Sequence, residues 1–191
     1  TQRAVALLTD RHYHIGRQRM VGLPEEEEAS SLFTADRIGE LDPDFVRIYP
    51  TIVLKNSMLA RWHENGTYRP WSLERSIAHV KILYLFFKKK NIPVIRMGLQ
   101  ASEDLDSGAA VLAGPYHPAF GHMVHSEIFL DMAAGIIAAK KGGRNTVSIK
   151  VHPQSISKMR GMKNSNVETL KRRFRLQTLK IVPDATLAED Q

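Results

Sequence analysis

Several side chains that lie close together in the sequence could take part in metal or nucleic-acid chemistry. His117, His122, His125 and Glu127 lie within eleven residues, and neutral imidazoles are common metal ligands in proteins. His122 and His125 could share one face of a helix, but the HExxH spacing of zinc enzymes is absent. The pattern favours histidines that form hydrogen bonds or pack in the core and leaves a metal site as the alternative. Tyr116 could stack on a base or pack against the protein, and packing is the more common role.

Two arginines interrupt apolar segments that have the composition of strands. Arg47 lies within residues 45–49, and Arg96 lies within residues 94–97. A buried guanidinium group requires an anionic partner, because burial removes the water that stabilises its charge. We therefore predict either internal ion pairs or contacts with a phosphate or carboxylate group in a pocket at the strand ends.

The composition excludes several kinds of site from these 191 residues. Cysteine is absent, which rules out disulfides, thiolate nucleophiles, cysteine zinc sites and cysteine-ligated iron–sulfur clusters in this chain. Neither a GxGxxG loop nor a Walker lysine loop is present, and no Ser-His-Asp arrangement can be read from the spacing. No signal peptide is visible, and the most apolar run, residues 128–139, is too short to span a bilayer. We therefore expect a cytoplasmic protein without a membrane partner.

Positive charge is concentrated in the second half of the chain. Residues 1–110 contain 15 basic and 14 acidic side chains, whereas residues 111–191 contain 12 basic and 6 acidic ones. Such an excess indicates a polyanionic partner, nucleic acid first, or else an ordinary solvated basic face. The basic residues concerned are Lys140, Lys141, Arg144, Lys150, Lys158, Arg160, Lys163, Lys171, Arg172, Arg173, Arg175 and Lys180.

The apolar pattern of the first hundred residues predicts alternating strands and helices. Strands are predicted over residues 15–21, 45–49 and 94–100, with helices over 2–8, 25–41, 57–64 and 73–90. Four glutamates begin the helix over 25–41, where they suit the positive end of its dipole better than they suit a metal. Each connection is long enough for a parallel βαβ unit. We therefore predict an α/β fold whose three strands form one side of a larger sheet.

In a parallel α/β fold, ligands bind at the carboxyl ends of the strands. Those ends are Gly22-Leu23-Pro24, Tyr49-Pro50-Thr51 and Gly98-Leu99-Gln100. Pro50 cannot donate a hydrogen bond to a neighbouring strand, so the central strand should stop near Tyr49. If the three strands are one side of a larger sheet, the central strand should have an unpaired edge where the other strands are missing from this chain. An unpaired strand edge predicts self-association or poor solubility.

The second half is predicted to be α+β and poor in strands. Helices are predicted over residues 122–141 and 166–175, a helical turn over 155–160, and strands over 146–151 and 178–182. In the helix over 122–141, we expect a core face formed by Val124, Ile128, Met132, Ile136 and Ile137, and an end at Gly142-Gly143. We expect this half to pack on the first sheet as an appendix rather than to form a core of its own.

Several motifs, taken in order, resemble one known family. They are Gly22-Leu23-Pro24, Val46-Arg47-Ile48-Tyr49-Pro50-Thr51 with Lys55, Trp62 to Gly66, Tyr68-Arg69-Pro70, Arg96-Met97-Gly98-Leu99-Gln100 and Gly114-Pro115-Tyr116-His117-Pro118-Ala119-Phe120-Gly121. The family comprises bacterial radical SAM proteins similar to the Elongator catalytic subunit, often labelled oxygen-independent coproporphyrinogen III oxidase-like. The resemblance covers roughly residues 1–182, and His152-Pro153 and the segment from Ser157 to Gly161 also fit it.

The resemblance implies a partial (β/α) barrel that carries a [4Fe–4S] cluster and S-adenosylmethionine. Residues 1–100 would supply late strands and helices of the barrel, and residues 101–191 a basic α+β C-terminal extension. We expect cofactor contacts at Gly22, Leu23, Pro24, Tyr49 and Thr51. The residues expected to contact substrate are Arg47, Lys55, Arg96, Gln100, Tyr116, His117, Lys158 and Arg160.

The chain departs from the family pattern in two respects. The cluster-binding cysteines are missing, so we expect a C-terminal portion of a longer enzyme that is inactive without its N-terminal barrel segment. Glu25 also stands where the family usually has glycine, whose backbone freedom glutamate lacks.

Elongator-type relatives modify wobble uridine in tRNA, which agrees with the basic second half. The alternatives are a non-catalytic module that binds RNA or another subunit and, third, a coproporphyrinogen III oxidase-like activity.

Overall fold

A computed structural model describes residues 2–140 and 145–189 of the chain. The chain divides into two compact units, Thr1–Gly121 and His122–Gln191. The functional boundary expected after residue 100 stays a prediction. Lys141, Arg144 and the helix end expected at Gly142-Gly143 lie outside the described residues.

The first unit follows the predicted order of elements closely. Its helices are α1 (Gln2–Thr9), α2 (Glu28–Gly39), α3 (Met58–Glu64), α4 (Leu73–Lys89) and α5 (Glu103–Asp106). Its strands are β1 (Gly16–Val21), β2 (Phe45–Pro50), β3 (Val53–Leu54), β4 (Val94–Met97) and β5 (Val111–Ala113). Ser57 and Ser72 cap α3 and α4 by accepting hydrogen bonds from the amides of Ala60 and Arg75.

Strands β1, β2 and β4 form a parallel sheet in that order, which confirms the α/β prediction. Strand β2 ends at Pro50, as its proline predicts. Both neighbours of β2 are present, so the prediction that β2 carries an exposed edge is wrong. Within the described residues, the open edges belong to β1 and β4, because β2 pairs with both of them.

Helices cover one face of this sheet. Val46 and Ile48 of β2 are fully buried on that face, and so are Val80 and Leu83 of α4. Helices α2 and α4 pack on each other, as expected for two crossover helices on the same face. Residues of the opposite face, among them Gln18 of β1, are exposed.

Helix α2 begins three residues later than the glutamate run predicted. Only Glu28 of the four glutamates lies in the helix, and Glu25 has a left-handed backbone with φ of 60°. Glu26 turns back towards β1, where it pairs with Arg19. The prediction that all four glutamates form the first helical turn is therefore wrong, because a buried ion pair outweighs the weak attraction of a helix dipole.

A small antiparallel pair follows the main sheet. Strand β3 pairs with β5, with Val53 opposite Ala113. Val53, Ala60 and Tyr68 form a buried cluster beneath this pair. The pair holds the segment after β5 against the end of β2, which positions the candidate site described below.

The second unit combines helices with a second parallel pair of strands. Its elements are α6 (Phe120–Ala139), which starts two residues before the division, β6 (Thr146–Val151), α7 (Ile156–Arg160), α8 (Ser165–Phe174) and β7 (Thr178–Pro183). Strand β6 pairs with β7, Thr146 opposite Thr178 and Val151 opposite Pro183. Within the described residues, no helix has the length and apolar character needed to cross a lipid bilayer.

This unit has a hydrophobic core of its own, so the expectation of a coreless appendix is wrong. The buried core residues are Phe129, Ala133, Ala134, Val151, Met159 and Leu170. Met132 and Ile136 are 38% and 54% exposed, which also corrects the predicted core face of α6. Apolar residues occur on every side of this helix, so their spacing alone could not identify the buried side.

Candidate functional site

The carboxyl ends of the three parallel strands are tied together by main-chain hydrogen bonds. The Thr51 amide donates to the Val21 carbonyl at 2.8 Å, and the Gly98 amide donates to the Ile48 carbonyl at 3.0 Å. These bonds place the turn after β1, the end of β2 and the turn after β4 at one edge of the sheet. The strand ends singled out from the sequence are therefore neighbours in space.

Residues of the Tyr68–Trp71 motif hold the Gly22 turn. The Tyr68 hydroxyl donates to the Gly22 carbonyl at 2.5 Å. The ring of Trp71 lies against Gly22, which has φ of 77°. Burial, with a smaller contribution from the nearby Glu26 carboxylate, raises the pKa of Tyr68, so this hydroxyl stays a donor. The motif thus has a structural role beside the candidate site.

Glu26 closes the same turn from the other side. Its Oε2 accepts hydrogen bonds from the amides of Gly22 at 2.6 Å and Leu23 at 3.1 Å, while its Oε1 pairs with Arg19. The two charged side chains are 8% and 7% exposed for Arg19 and Glu26. The Gly22 and Leu23 amides are consequently engaged by a protein carboxylate. The cofactor contact expected at Gly22, Leu23 and Pro24 stays a prediction.

The buried ion pair continues into a polar network that sequence reasoning did not find. Arg19 Nη2 donates to Ser31 Oγ at 3.1 Å, and Ser31 Oγ lies 2.7 Å from His79 Nε2. His79 is 1% exposed and packs edge-on against Trp71, with ring centroids 5.2 Å apart. Burial lowers the pKa of His79. The available signal was a charged residue, Arg19, within a predicted strand, a position comparable to that of Arg47.

Thr51 lies buried where β2 ends. It is 3% exposed, and its Oγ1 has no hydrogen-bond partner among the described residues. Gly114 lies directly against the Thr51 carbonyl. A hydroxyl without a partner at this position agrees with the predicted cofactor contact, which stays a prediction. Tyr49, predicted with it, is half-buried on the opposite face of β2 from Ile48.

The segment 114–121 packs against the end of β4. A Cβ atom on Gly98 would lie 2.7 Å from Phe120 Cβ, so Gly98 allows the start of α6 to approach the strand closely. His117 helps to form this start, because its Nδ1 accepts from the Ala119 amide at 3.0 Å and its carbonyl accepts from the Phe120 amide at 3.0 Å. This structural role uses one ring nitrogen of His117 and leaves its Nε2 available as a donor.

Tyr116 and the neighbouring histidines do not form a recognisable metal centre. The Tyr116 hydroxyl donates to Asp106, and this bond raises the pKa of Tyr116. Across residues 2–140 and 145–189, no group of three or more histidine, aspartate or glutamate side chains could hold a metal ion. A substrate role for Tyr116 and His117 stays a prediction.

The uncovered face of the parallel sheet carries a row of polar side chains. Gln18, Arg47 and Arg96 occupy matched positions on β1, β2 and β4, and all three are exposed. The prediction that both arginines are buried is therefore wrong, because their strands have one face open to solvent. Arg96 donates to Gln100 at 3.2 Å, and Arg47 lies 5.4 Å from the centre of the Phe45 ring. Neither arginine has an ion pair within the described residues.

The remaining predicted substrate residues lie on surface elements. Lys55 follows β3 and is exposed, and its amide donates to the Ala110 carbonyl at 2.9 Å. Lys158 and Arg160 lie on α7 in the second unit, where Lys158 is half-buried and Arg160 is exposed. Two of the predicted cofactor contacts also lie near the surface, since Leu23 is 38% exposed and the adjacent Pro24 is half-buried.

The chain does not supply the ligands of an iron–sulfur cluster. No cysteine is present among its 191 residues, and cysteine thiolates hold such clusters. The cluster does not fit these residues, and no chemical step of this chain is assigned to it. The open polar face and the strand ends can instead contact a substrate or shape a cavity.

Comparison with known proteins identifies one domain family that part of this chain matches. Residues 43–129 match the family described as the Radical_SAM C-terminal domain, a range that begins just before β2 and ends within α6. No curated protein matches the chain. Proteins with a radical SAM domain use S-adenosylmethionine and a [4Fe–4S] cluster. The match, together with the parallel α/β sheet, supports the interpretation of this chain as part of a radical SAM protein.

Proposed function

We propose that this chain is the C-terminal portion of a radical SAM enzyme that modifies tRNA, as the Elongator catalytic subunit does. The observation that carries the proposal is the row of Gln18, Arg47 and Arg96 on the uncovered face of the sheet. Parallel sheets are usually covered on both faces, so an open face with two arginines is unusual for a structural surface. It suits the wall of a cavity that receives an anionic substrate.

The open edge of β1 supports a larger barrel. Nε and Nη2 of Arg17 are buried but have no hydrogen-bond partner within the described parts of the chain. A buried guanidinium without a partner is costly, and an acidic or carbonyl group from an adjacent strand would relieve that cost. We therefore propose that a further barrel segment, which carries the cluster-binding cysteines, pairs with β1. The cytoplasm is the proposed location.

The test uses a protein in which the chain follows a segment with the cluster cysteines. After anaerobic reconstitution with iron and sulfide, we expect iron–sulfur absorbance and tRNA-stimulated cleavage of S-adenosylmethionine to 5′-deoxyadenosine. Arg47→Ala and Arg96→Ala should each weaken the tRNA stimulation by about tenfold, the value of one charged hydrogen bond. Arg11→Ala, an exposed arginine outside the sheet, is the control.

Absence of both iron–sulfur absorbance and S-adenosylmethionine cleavage would contradict the enzymatic proposal. Binding of tRNA without either signal would favour the second candidate, a non-catalytic module that binds RNA or another subunit. The basic second unit specifically favours that candidate. A third candidate, porphyrinogen decarboxylation, would require that a polycarboxylate porphyrinogen replace tRNA as the stimulating substrate.

A further inference from the structure

The second unit contains a strand–helix–loop–helix–strand arrangement that the radical SAM proposal does not explain. Strand β6 leads through a short 3-10 turn into α7, a four-residue loop follows, and α8 leads into β7. The two strands are adjacent and parallel over six residues. Val151, Met159 and Leu170 join the strands and both helices in one core. This arrangement resembles the core of KH modules, whose glycine loop between two helices clamps a single-stranded nucleic-acid backbone.

The loop between the helices, residues 161–164, contains three residues with positive φ, the region that glycine favours. Its sequence is Gly-Met-Lys-Asn, with left-handed φ values of 72° at Gly161, 51° at Lys163 and 63° at Asn164. A Cβ atom on Gly161 would lie 2.6 Å from Ser165 Oγ and 2.8 Å from Asn166 Oδ1, so a larger residue would displace side chains at the start of α8. Asparagine at the fourth position is a suitable substitute for glycine, because it tolerates a left-handed backbone.

A buried asparagine holds the loop from the inside. Asn166 is 3% exposed and donates to the carbonyls of Ser126 at 2.8 Å and Lys158 at 3.4 Å. On the outside, Met162, Lys163 and Asn164 are exposed. The loop is thus fixed on its protein side and presents a cation and an apolar side chain to solvent.

Uncompensated positive charge surrounds this loop. Residues 156–180 contain eight basic side chains and one acidic side chain, Glu168. Glu168 pairs with Lys171 at 3.7 Å. The other seven basic residues have no ion pair among the described residues, and they are Lys158, Arg160, Lys163, Arg172, Arg173, Arg175 and Lys180. The net charge of this segment equals that of the whole chain, +7, so a polyanion is the complementary partner.

We propose that residues 146–183 grip single-stranded RNA, with the loop 161–164 held against its phosphate backbone. A loop of four residues can follow a few phosphates of one strand, whereas duplex readers contact successive grooves over a longer surface. The exposed Met162 adds an apolar contact for a base or ribose. This inference does not require radical chemistry, so it stands or falls separately from the proposed enzymatic function.

The first test measures the strand preference of the 191-residue chain. A labelled mixed-sequence RNA of about 12 nucleotides, alone or annealed to its complement, is titrated by fluorescence anisotropy at about 50 to 200 mM salt. We expect the single strand to bind about tenfold more tightly than the duplex, with affinity that falls as salt rises. Equal or tighter binding of the duplex, or no binding at the lowest salt, would overturn the proposal.

The second test assigns the contact to the loop. Lys163→Glu should weaken binding of the single strand by about tenfold, because it places a negative charge against phosphate. Lys89→Glu is the matched control, since Lys89 is an exposed lysine in the last turn of α4 and gives the same change in net charge. Its affinity should stay within about twofold of the unmodified chain. Equal losses in the two variants would overturn the assignment to the loop.

A third variant separates loss of contact from loss of fold. Lys163→Gly removes the cation at a position with φ of 51°, which glycine adopts without strain. We expect an unchanged or higher melting temperature and a salt dependence reduced by about 0.7 in logarithmic slope, the value of one phosphate contact on a single strand. An unchanged slope with a folded variant would overturn the proposal.

Discussion

At the scale of single residues, the Gly22 turn shows how side chains maintain an unusual backbone. Glu25 has φ of 60°, although glutamate has no intrinsic preference for this region. The sequence-based expectation that glutamate would prevent a glycine-like turn is therefore wrong. Neighbouring Glu26 fixes the turn through the Gly22 and Leu23 amides and through Arg19, which imposes the left-handed conformation on Glu25.

Replacement of Glu25 by glycine should stabilise the protein. Glu25 is exposed, so Glu25→Gly removes the strain of the left-handed backbone, about 1 kcal/mol, at the cost of a more flexible unfolded chain. We expect a gain of about 0.5 kcal/mol in the free energy of unfolding, measured with urea. Glu27→Gly is the control, because Glu27 has an extended backbone with φ of −103° and no strain that glycine could relieve. The Glu27→Gly variant should therefore be less stable than the unmodified chain. A loss of stability in Glu25→Gly would contradict this account.

His79 should make the stability of the first unit depend on pH. Burial lowers the pKa of His79 in the folded protein, whereas in the unfolded chain His79 binds a proton near its ordinary pKa of 6.5. The contribution of neutral His79 to the free energy of unfolding should therefore be fully present above about pH 6.5. Below that pH, the free energy of unfolding should fall by at most about 1.4 kcal/mol per pH unit.

The measurement compares urea unfolding of the unmodified chain and His79→Gln between about pH 7.5 and 5.5. Glutamine can still bond to Ser31 but does not titrate in this range. The variant should lose less stability than the unmodified chain over the same interval. Identical pH profiles would show that His79 is not the group responsible.

At the scale of secondary-structure elements, β1 has one edge without a pairing strand in the described part of the chain. The Ile15 and Val21 carbonyls bond to β2, so the alternate residues, including Gln18, direct their main-chain groups towards the open edge. An unpaired edge promotes strand pairing between molecules. The self-association predicted from the sequence would therefore use the edge of β1 or of β4 rather than β2, and it stays a prediction.

Proline on this edge should suppress association. Gln18→Pro removes an outward amide without a loss of a bond to β2, so we expect a monomer over about 10 to 200 μM in sedimentation velocity, where the unmodified chain associates. Arg17→Pro is the contrasting variant, because it would remove a bond to β2 and destabilise the sheet. A monodisperse monomer of the unmodified chain over this range would contradict the prediction.

At the scale of the whole molecule, each compact unit has a separate buried core. Val46 and Ile48 belong to the first unit, and Met159 and Leu170 to the second. Leu170→Ala should destabilise the second unit by about 2 to 5 kcal/mol, because it leaves a cavity in a fully buried site. Hydrogen exchange read by mass spectrometry should then rise in β6, α8 and β7 and stay unchanged in β1 and β2. Equal increases in both units would contradict separate cores.

The sequence by itself determined the order of elements, the parallel α/β pattern and the strand ends. These features depend on local periodicity, on Pro50 and on the serine caps, whose effects act within a few residues. It also pointed to radical SAM proteins, which the match of residues 43–129 to the Radical_SAM C-terminal domain supports, whereas the Elongator-like specificity stays a prediction. The position of the strand-end motifs at one edge follows from parallel pairing, which the crossover lengths already implied.

Only the tertiary structure decided which charged residues are buried. Arg19, Arg47 and Arg96 all lie in strands of the parallel sheet, but Arg19 is buried and pairs with Glu26, whereas the other two face the uncovered side. A strand alternates its side chains between two faces, and local sequence does not reveal which face a helix will cover. For the same reason, the core side of α6 and the position of β2 between two neighbours depended on contacts distant in sequence.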